Sequence, residues 1–401
     1  MDTLPAISSV KYSEKELLSF LTSDFGERQM PLALWRMPGS GQKHLVISDN
    51  YRHLDSTAAL EELDAGFLMA PFDKNKNRLF LPADLFFTFE NGNLKTHAGL
   101  KEEKSVQWLQ EQLRVTRIQQ GRSFTSSSSL PPRSMTRDKA SFIAMVERSI
   151  REIEKGTFEK IVPSRTKEIL LPATFDAIES FQKLCANYPE ALISFVSIPG
   201  VGTWLGASPE ILVSVQDKSI FKTIALAGTL PYQPGLDIRA VAWTQKEIEE
   251  QALVERYVIS CFKQIRLREY EEHGPKSVVA GNLIHLRSDF TVDIKAINFP
   301  QLGSVMLNLL HPTSAVCGMP LEPSLNFLQE HEHYDRGFYT GYLGPVNIKN
   351  NIGLFVNLRC MQVAGNHGIL YAGAGVTIDS IPEKEWAETE IKFNTLLNVI
   401  L

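Results

Sequence analysis

The spacing of apolar residues changes several times along the chain, and each change marks an element. From residue 136, Phe142, Val146, Ile150 and Ile153 recur at helical intervals until Gly156 ends the run, with Thr136 placed to cap its start. TFEKIVPSRTKEI, residues 157–169, then reads as a β-strand through the β-branched pair Ile161 and Val162, although the lysine Lys160 stands directly before that pair. ALISFVSIPGVGTWLGASPEILVSV, residues 191–215, predicts two strands joined by PGVG and a third extended run directly after them, an antiparallel meander rather than a βαβ unit. Further β-rich runs are FKTIALAGTL, NIGLFVNLRCMQV and GILYAGAGVTI. Helices are predicted over 174–187, 244–268, 294–309, 324–330 and 382–399. Strands outnumber short βα alternations, so the expected class is α+β, with sizeable antiparallel sheets and helices packed outside them.

SFTSSSSLPPR, residues 123–133, is the only low-complexity stretch, and its Ser and Pro content predicts a flexible loop. It divides an N-terminal region, 1–136, expected to pack on the main fold, from a region 137–401 that carries the chemical motifs. With 43% apolar and 22% charged residues the composition is that of an ordinary globular protein, and a net charge of -5 implies no nucleic-acid partner. Cys185, Cys261, Cys317 and Cys360 stand at least 43 residues apart with no CxxC, which points to reduced thiols. The start MDTLPAISSVKYSEKELLSF lacks a basic, apolar leader, and no window is apolar for the length of a membrane helix. A cytoplasmic protein is expected.

Two predicted helices put carboxylates on an apolar stripe. In TQKEIEEQALVERYVISCF, Thr244 and Glu247 have capping-box spacing, and Glu250 shares a face with Leu253, Val254, Tyr257 and Cys261. In SIPEKEWAETEIKFNTLLNVIL, Ser380 and Glu383 have the same spacing, while Glu385, Glu388 and Lys392 fall on one face that continues into Leu396. Spacing leaves two readings open: a solvated, mutually paired face, or carboxylates from two helices holding a hard cation such as Mg2+. Glu210, in GASPEILV, is either a charge guarding a strand edge or an acid whose pKa is raised by desolvation. Lys160 is either a snorkelling strand lysine or, once desolvated, a neutral amine able to act as a base. HEHYD, 331–335, resembles a metal cluster but lacks HExxH spacing, and GAG, 373–375, is no dinucleotide fingerprint. Glycines in a β-run do allow backbone N–H groups to approach a carboxylate closely.

Taken together, FEKIVPSR, WLGASPEILVSV, ALAGTLP, KEIEEQALV, LLHPTSAVCGMP, YDRGFYTGYLG, FVNLRC, YAGAGVTIDSIPEKEWAETEIK and LLNVIL resemble, in that order, the chorismate-utilising enzymes. That family contains isochorismate synthase, salicylate synthase and the large subunits of anthranilate and aminodeoxychorismate synthases. Lys160 and HPTSAVCGMP resemble the isochorismate and salicylate branch; the anthranilate branch usually carries glutamine at the first place and a different second segment. The resemblance implies one large chorismate-binding fold and isomerisation of chorismate by water addition at C2 with loss of the C4 hydroxyl. It implies Lys160 as base and Glu210 as acid. Magnesium would be held by Glu250 and Glu388, with Glu385 acting through water, and would receive the ring carboxylate with help from Lys392 and the Gly228 backbone. The enolpyruvyl carboxylate would meet Arg359 and the Gly373 N–H, with His285 and Ala315 elsewhere in the cleft.

Two departures from the family pattern stand out. Gln251 replaces a histidine common in relatives, and IVPSR replaces VVLSR. Neither removes a charged or ligating group expected here. Salicylate synthase, which goes on to eliminate pyruvate, is the alternative reading. An ammonia-using anthranilate-type enzyme and a non-catalytic chorismate-binding protein fit less well. A monomer without an amidotransferase subunit is expected, and relatives serve menaquinone, siderophore and salicylate synthesis alike.

Overall fold

The computed structural model describes residues 13–94, 105, 107–109, 111, 138–232, 235–280 and 283–401. At its centre are two nine-stranded antiparallel sheets. Across the first, the strands are Asn93–Leu94, Leu85–Glu90, Gln42–Ile47, Leu32–Arg36, Leu192–Ile198, Gly202–Ser208, Cys360–Ala364, His367–Gly373 and Ser164–Leu170. Across the second they are Glu271–Ala280, Leu283–Asp293, Ile220–Pro231, Ile211–Gln216, Ile352–Val356, Tyr342–Val346, Gly66–Ala70, Arg78–Pro82 and Arg52–Leu54. N-terminal strands thus sit inside both sheets.

The named helices are α1 (Glu14–Glu27), α2 (Lys139–Glu154), α3 (Ala177–Asn187), α4 (Gln245–Gln264), α5 (Leu302–Leu310), α6 (Leu321–His331) and α7 (Pro382–Ile400). Alternating side chains of the two sheets meet in one buried layer, where Trp35 of the first sheet lies 5.2 Å, ring to ring, from Phe67 of the second. On the far face of the first sheet, α1, α3 and α7 bury Leu17, Phe181 and Phe393. On the far face of the second, α4 and α5 bury Val254, Phe262 and Met306. The layers run helix, sheet, sheet, helix, an α+β architecture in which each apolar face finds a partner.

Several expected elements are interrupted where the chain passes between layers. The strand foreseen at 157–169 is two: Lys160–Ile161 pairs with Gly318–Met319 in a small separate sheet, and Ser164–Leu170 joins the first large sheet. Pro163, without an N–H to donate, stands in the break. The predicted three-stranded meander is a hairpin, 192–198 with 202–208, after which the chain leaves for the second sheet and pairs 211–216 with 352–356. NIGLFVNLRCMQV divides likewise into 352–356 and 360–364, one in each sheet.

Helix ends also differ from expectation. Asp138 caps α2, accepting the Ser141 N–H at 2.8 Å; Thr136 and the 123–133 stretch lie outside the described residues. Thr244 and Glu247 do form a capping box. Ser380 and Glu383 do not: α7 starts at Pro382, whose fixed φ suits a first helical position, and the Ser380 hydroxyl accepts the Thr377 N–H at 3.1 Å. The helix expected from 294 begins at Leu302, after turns through Ile294–Gln301.

One buried ion pair joins the breaks. Glu332, at the end of α6, accepts the Ser164 N–H and hydroxyl, each at 2.7 Å, and the Arg336 Nε at 2.7 Å. Arg336 gives its other donors to the carbonyls of Val162 and Val316, both at 2.8 Å. Removing one partner leaves the other charge buried and alone. Glu332→Ala is expected to lose about 3–5 kcal/mol of unfolding free energy in urea titration; a loss below about 1 kcal/mol, the scale of an exposed pair, would show that the pair does not hold these segments.

Candidate active site

Between the sheets, where these segments cross, lies a cavity lined by Glu210, Gly228, Glu250, His285, Ala315, Arg359, Gly373, Glu388 and Lys392. These are nine of the eleven residues named from the sequence. The other two, Lys160 and Glu385, are buried against the lining carboxylates: Lys160 Nζ lies 2.9 Å from Glu250, and Glu385 is held in the electrostatic field of Glu388.

Glu210 and Arg359 both stand on segments that hand over from one sheet to the other. Glu210 follows strand 202–208 and is 4% exposed. Burial pushes its carboxyl up to about 7, against the pull of Lys160, of the Thr313 hydroxyl that donates to it at 3.4 Å, and of Arg359 and Lys392. Arg359 has a left-handed backbone, φ 47°, uncommon for a residue with a long side chain and of a kind that clusters at functional sites. Its Nη2 lies 3.4 Å from His285 Nε2. The His285 ring donates from Nδ1 to the Gly228 carbonyl at 2.6 Å, and burial, with Arg359 beside it, lowers its pKa to about 3. The imidazole is therefore neutral, with Nε2 as acceptor.

The remaining charges alternate. Lys392 bridges Glu388 at 2.6 Å and the Gly373 carbonyl at 2.7 Å, so two elements, α7 and strand 367–373, are tied at the wall. Lys246, one turn before Glu250 in α4, meets Glu385 at 2.7 Å. Burial opposes its charge, but Glu385, Glu250 and Glu388 together raise its pKa. Burial likewise raises Glu385, with Glu388 adding to the effect, to about 7. Glu250 is lowered despite burial, because Lys160 and Lys246 face it. Gly375 is required by this packing: a Cβ there would collide with the Glu250 carboxylate and stand 3.2 Å from Lys160 Cε.

Paired in this way, the side chains leave a free volume of about 60 Å³, room for a few waters. Ligand pockets are usually several times larger. A bound organic anion must therefore part some of these pairs.

The donor set suits a hard cation. Glu250, Glu385 and Glu388 offer only oxygens, the donor type such a cation takes. As the side chains stand, no three His, Cys, Asp or Glu among the described residues are grouped to hold a metal ion; lysines occupy these carboxylates instead.

A family model described as "Chorismate binding enzyme" matches residues 71–401. The chain belongs to the chorismate-binding enzyme family. Isochorismate synthase EntC of Escherichia coli K12 is 31% identical over 285 residues, covering 69% of this chain and 72% of EntC. A crystal structure of a putative 2,3-dihydroxybenzoate-specific isochorismate synthase, DhbC, from Bacillus anthracis superposes with a TM-score of 0.72 over 96% of this chain and 98% of that one, at 23% identity. Anthranilate synthase component I from Streptococcus pneumoniae superposes at 0.67, covering 99% and 93%, at 18% identity. Those two structures share the fold.

In HEHYD, side chains are taken up by protein partners. His331 contacts Arg148 and Glu332 is consumed by Ser164 and Arg336. Sequence reading missed Lys246 and Thr313. Lys246 carried a usable signal, since it precedes Glu250 by four residues on the same helical face. Thr313 carried none beyond its place in HPTSA.

In the native protein Glu210 keeps its proton from the ordinary carboxylate range up to about pH 7, while the unfolded chain has lost it. That difference makes stability fall as pH rises through this window. Relative to wild type, Glu210→Gln is expected to gain about 3 kcal/mol of unfolding free energy between pH 4.5 and 7. Parallel stability profiles for the two proteins would show that Glu210 has an ordinary pKa.

Proposed function

We propose that this protein is an isochorismate synthase, an isomerase that converts chorismate to isochorismate. What supports the reading is the pairing of Glu210, a carboxylic acid that retains its proton near neutrality, with the buried amine of Lys160 at one cavity whose cations suit a dianion.

Lys160 acts as the base. It must first part from Glu250 and release its ammonium proton to solvent, because an ammonium has no lone pair with which to accept a proton from water. The water oxygen adds at C2, the ring double bonds shift, and the C4 oxygen leaves with the proton that Glu210 supplies. Water in and water out balance, so the net change is an isomerisation, and proton exchange with solvent resets both side chains. Arg359, Lys392 and the Gly373 backbone orient the substrate carboxylates. His285, neutral and fixed by the Gly228 carbonyl, offers an acceptor to Arg359 without adding positive charge.

Glu250 and Glu388, with Glu385 behind them, would hold Mg2+. When bound, this ion supplies a Lewis-acidic cation for the ring carboxylate. Glu250 would then no longer neutralise Lys160, which frees the amine for proton transfer.

Product analysis tests the reading. Purified protein with chorismate and Mg2+ alone is expected to yield isochorismate. Salicylate and pyruvate as products would establish the lyase reading instead, and a strict need for ammonium would establish the anthranilate type. Lys160→Ala is expected to lower turnover by about a hundredfold or more, the scale of general base catalysis, while chorismate binding, followed by calorimetry with Mg2+, persists. Near-normal turnover in that variant would remove Lys160 from the mechanism.

A further inference from the structure

On the outer side of the second sheet is another cavity, of about 340 Å³, within the usual size of small-molecule sites. Arg78 lies in its wall, 4% exposed, with one Nη donating to the Asp55 and Ala58 carbonyls and the guanidinium hydrogen-bonded to the Tyr342 hydroxyl. Its hydrogen bonds are to neutral groups, and among the described residues no carboxylate lies at salt-bridge distance, so its buried charge favours an anion beside it. Lys74 and Lys76 stand at the rim, paired with Glu322 at 2.9 Å and Asp335 at 2.6 Å. Both pairs are open to water and so weakly held. Asp73, the one acid in the wall, accepts the Asn75 N–H at 2.9 Å.

The rest of the wall is apolar and aromatic. Leu307 and Pro71 flank two rings, His311 and Tyr342, packed edge to face at 4.8 Å. Burial keeps His311 neutral, and its Nε2 lies 3.1 Å from the Pro71 carbonyl. Phosphate sites gather several backbone N–H groups. Here one guanidinium charge and two rim ammoniums line a cavity with ring walls, a combination suited to a flat organic acid.

Two segments, 311–316 and 339–342, join this cavity to the catalytic one, and the second brings Tyr339 and Thr340 to the catalytic wall and Tyr342 to this one. His311 opens the run 311–316, in which Thr313 donates to Glu210 and Ala315 and Val316 line the catalytic cavity. Phe72, next to Pro71, stacks on the Arg336 guanidinium at 4.4 Å.

We propose that the cavity is a second binding site, for a small cyclic or aromatic carboxylate, whose occupation acts on the catalytic cavity through residues 311–316. The inference concerns a separate site, and its binding test needs no turnover.

Fluorine NMR titration of the full chain with 4-fluorobenzoate tests it. Saturable binding is expected to survive Arg359→Ala, which alters the catalytic cavity. It is expected to weaken by about tenfold in the Lys74→Ala/Lys76→Ala double variant, as two charge-assisted contacts are lost. The exposed Thr57→Trp substitution at the rim should block it while leaving the thermal midpoint in place. Absence of saturable binding, binding lost in Arg359→Ala alone, or displacement by inorganic phosphate at equal concentration would each overturn the site or its assigned ligand class. Saturating fluorobenzoate is further expected to change the chorismate KM by about fivefold, within the range of common couplings, in wild type but not in the double variant. An unchanged KM would overturn the coupling.

Discussion

The pair between Glu332 and Arg336 is the constraint on which the cleft depends. Its two side chains are almost wholly buried, and the oxygens and nitrogens reach the break at Val162–Ser164 and the segment ending at Val316. Neither stretch can satisfy its backbone through a regular ladder at these points, since each lies where the chain changes layers. The ion pair supplies the missing partners. Lys160, two residues before the first break, and Thr313, three before Val316, take their positions from it.

Around that frame the cleft neutralises itself. Lys160, Lys246 and Lys392 each take one carboxylate, and Glu210, which no lysine pairs at salt-bridge distance, is pushed up to about 7 because burial disfavours its charged form. Charges of both signs can then be buried together without the desolvation loss that a single sign would incur. The cost is space: the cavity closes on its own pairs, and a bound organic anion must replace carboxylates as partners of the lysines. Recognition of this kind is an exchange of ion pairs, so selectivity rests on which acid completes the exchange with better geometry.

Much of this was legible in the sequence, for identifiable reasons. The α+β class followed from the density of β-rich runs, and Glu250 was placed on the buried face of its helix by period alone. Nine ordered segments carried the family. The breaks were not legible. Ile161 and Val162 look continuous with Thr166 and Ile169, and nothing local in GASPEILVSV tells Ile211 to pair with Phe355 rather than with the hairpin before it. Sheet membership is decided by partners more than a hundred residues away, which short-range pattern does not record. Ser380 had the spacing of a cap, yet Pro382 already fixed the helix start and the hydroxyl turned toward Thr377 and Glu385.

The handover of strands between sheets has a consequence for how such proteins diverge. Glu210 and Arg359 ride on crossing segments, so the gap between their side chains is set by the thickness of the apolar layer that separates the sheets. Trp35, Phe67 and Phe355 act there as a spacer. Exchanging a large ring for a small one in that layer would reset the width of the cleft while every ionisable group stayed in place, which gives one charge constellation a way to accommodate different reactions without altering a single polar residue.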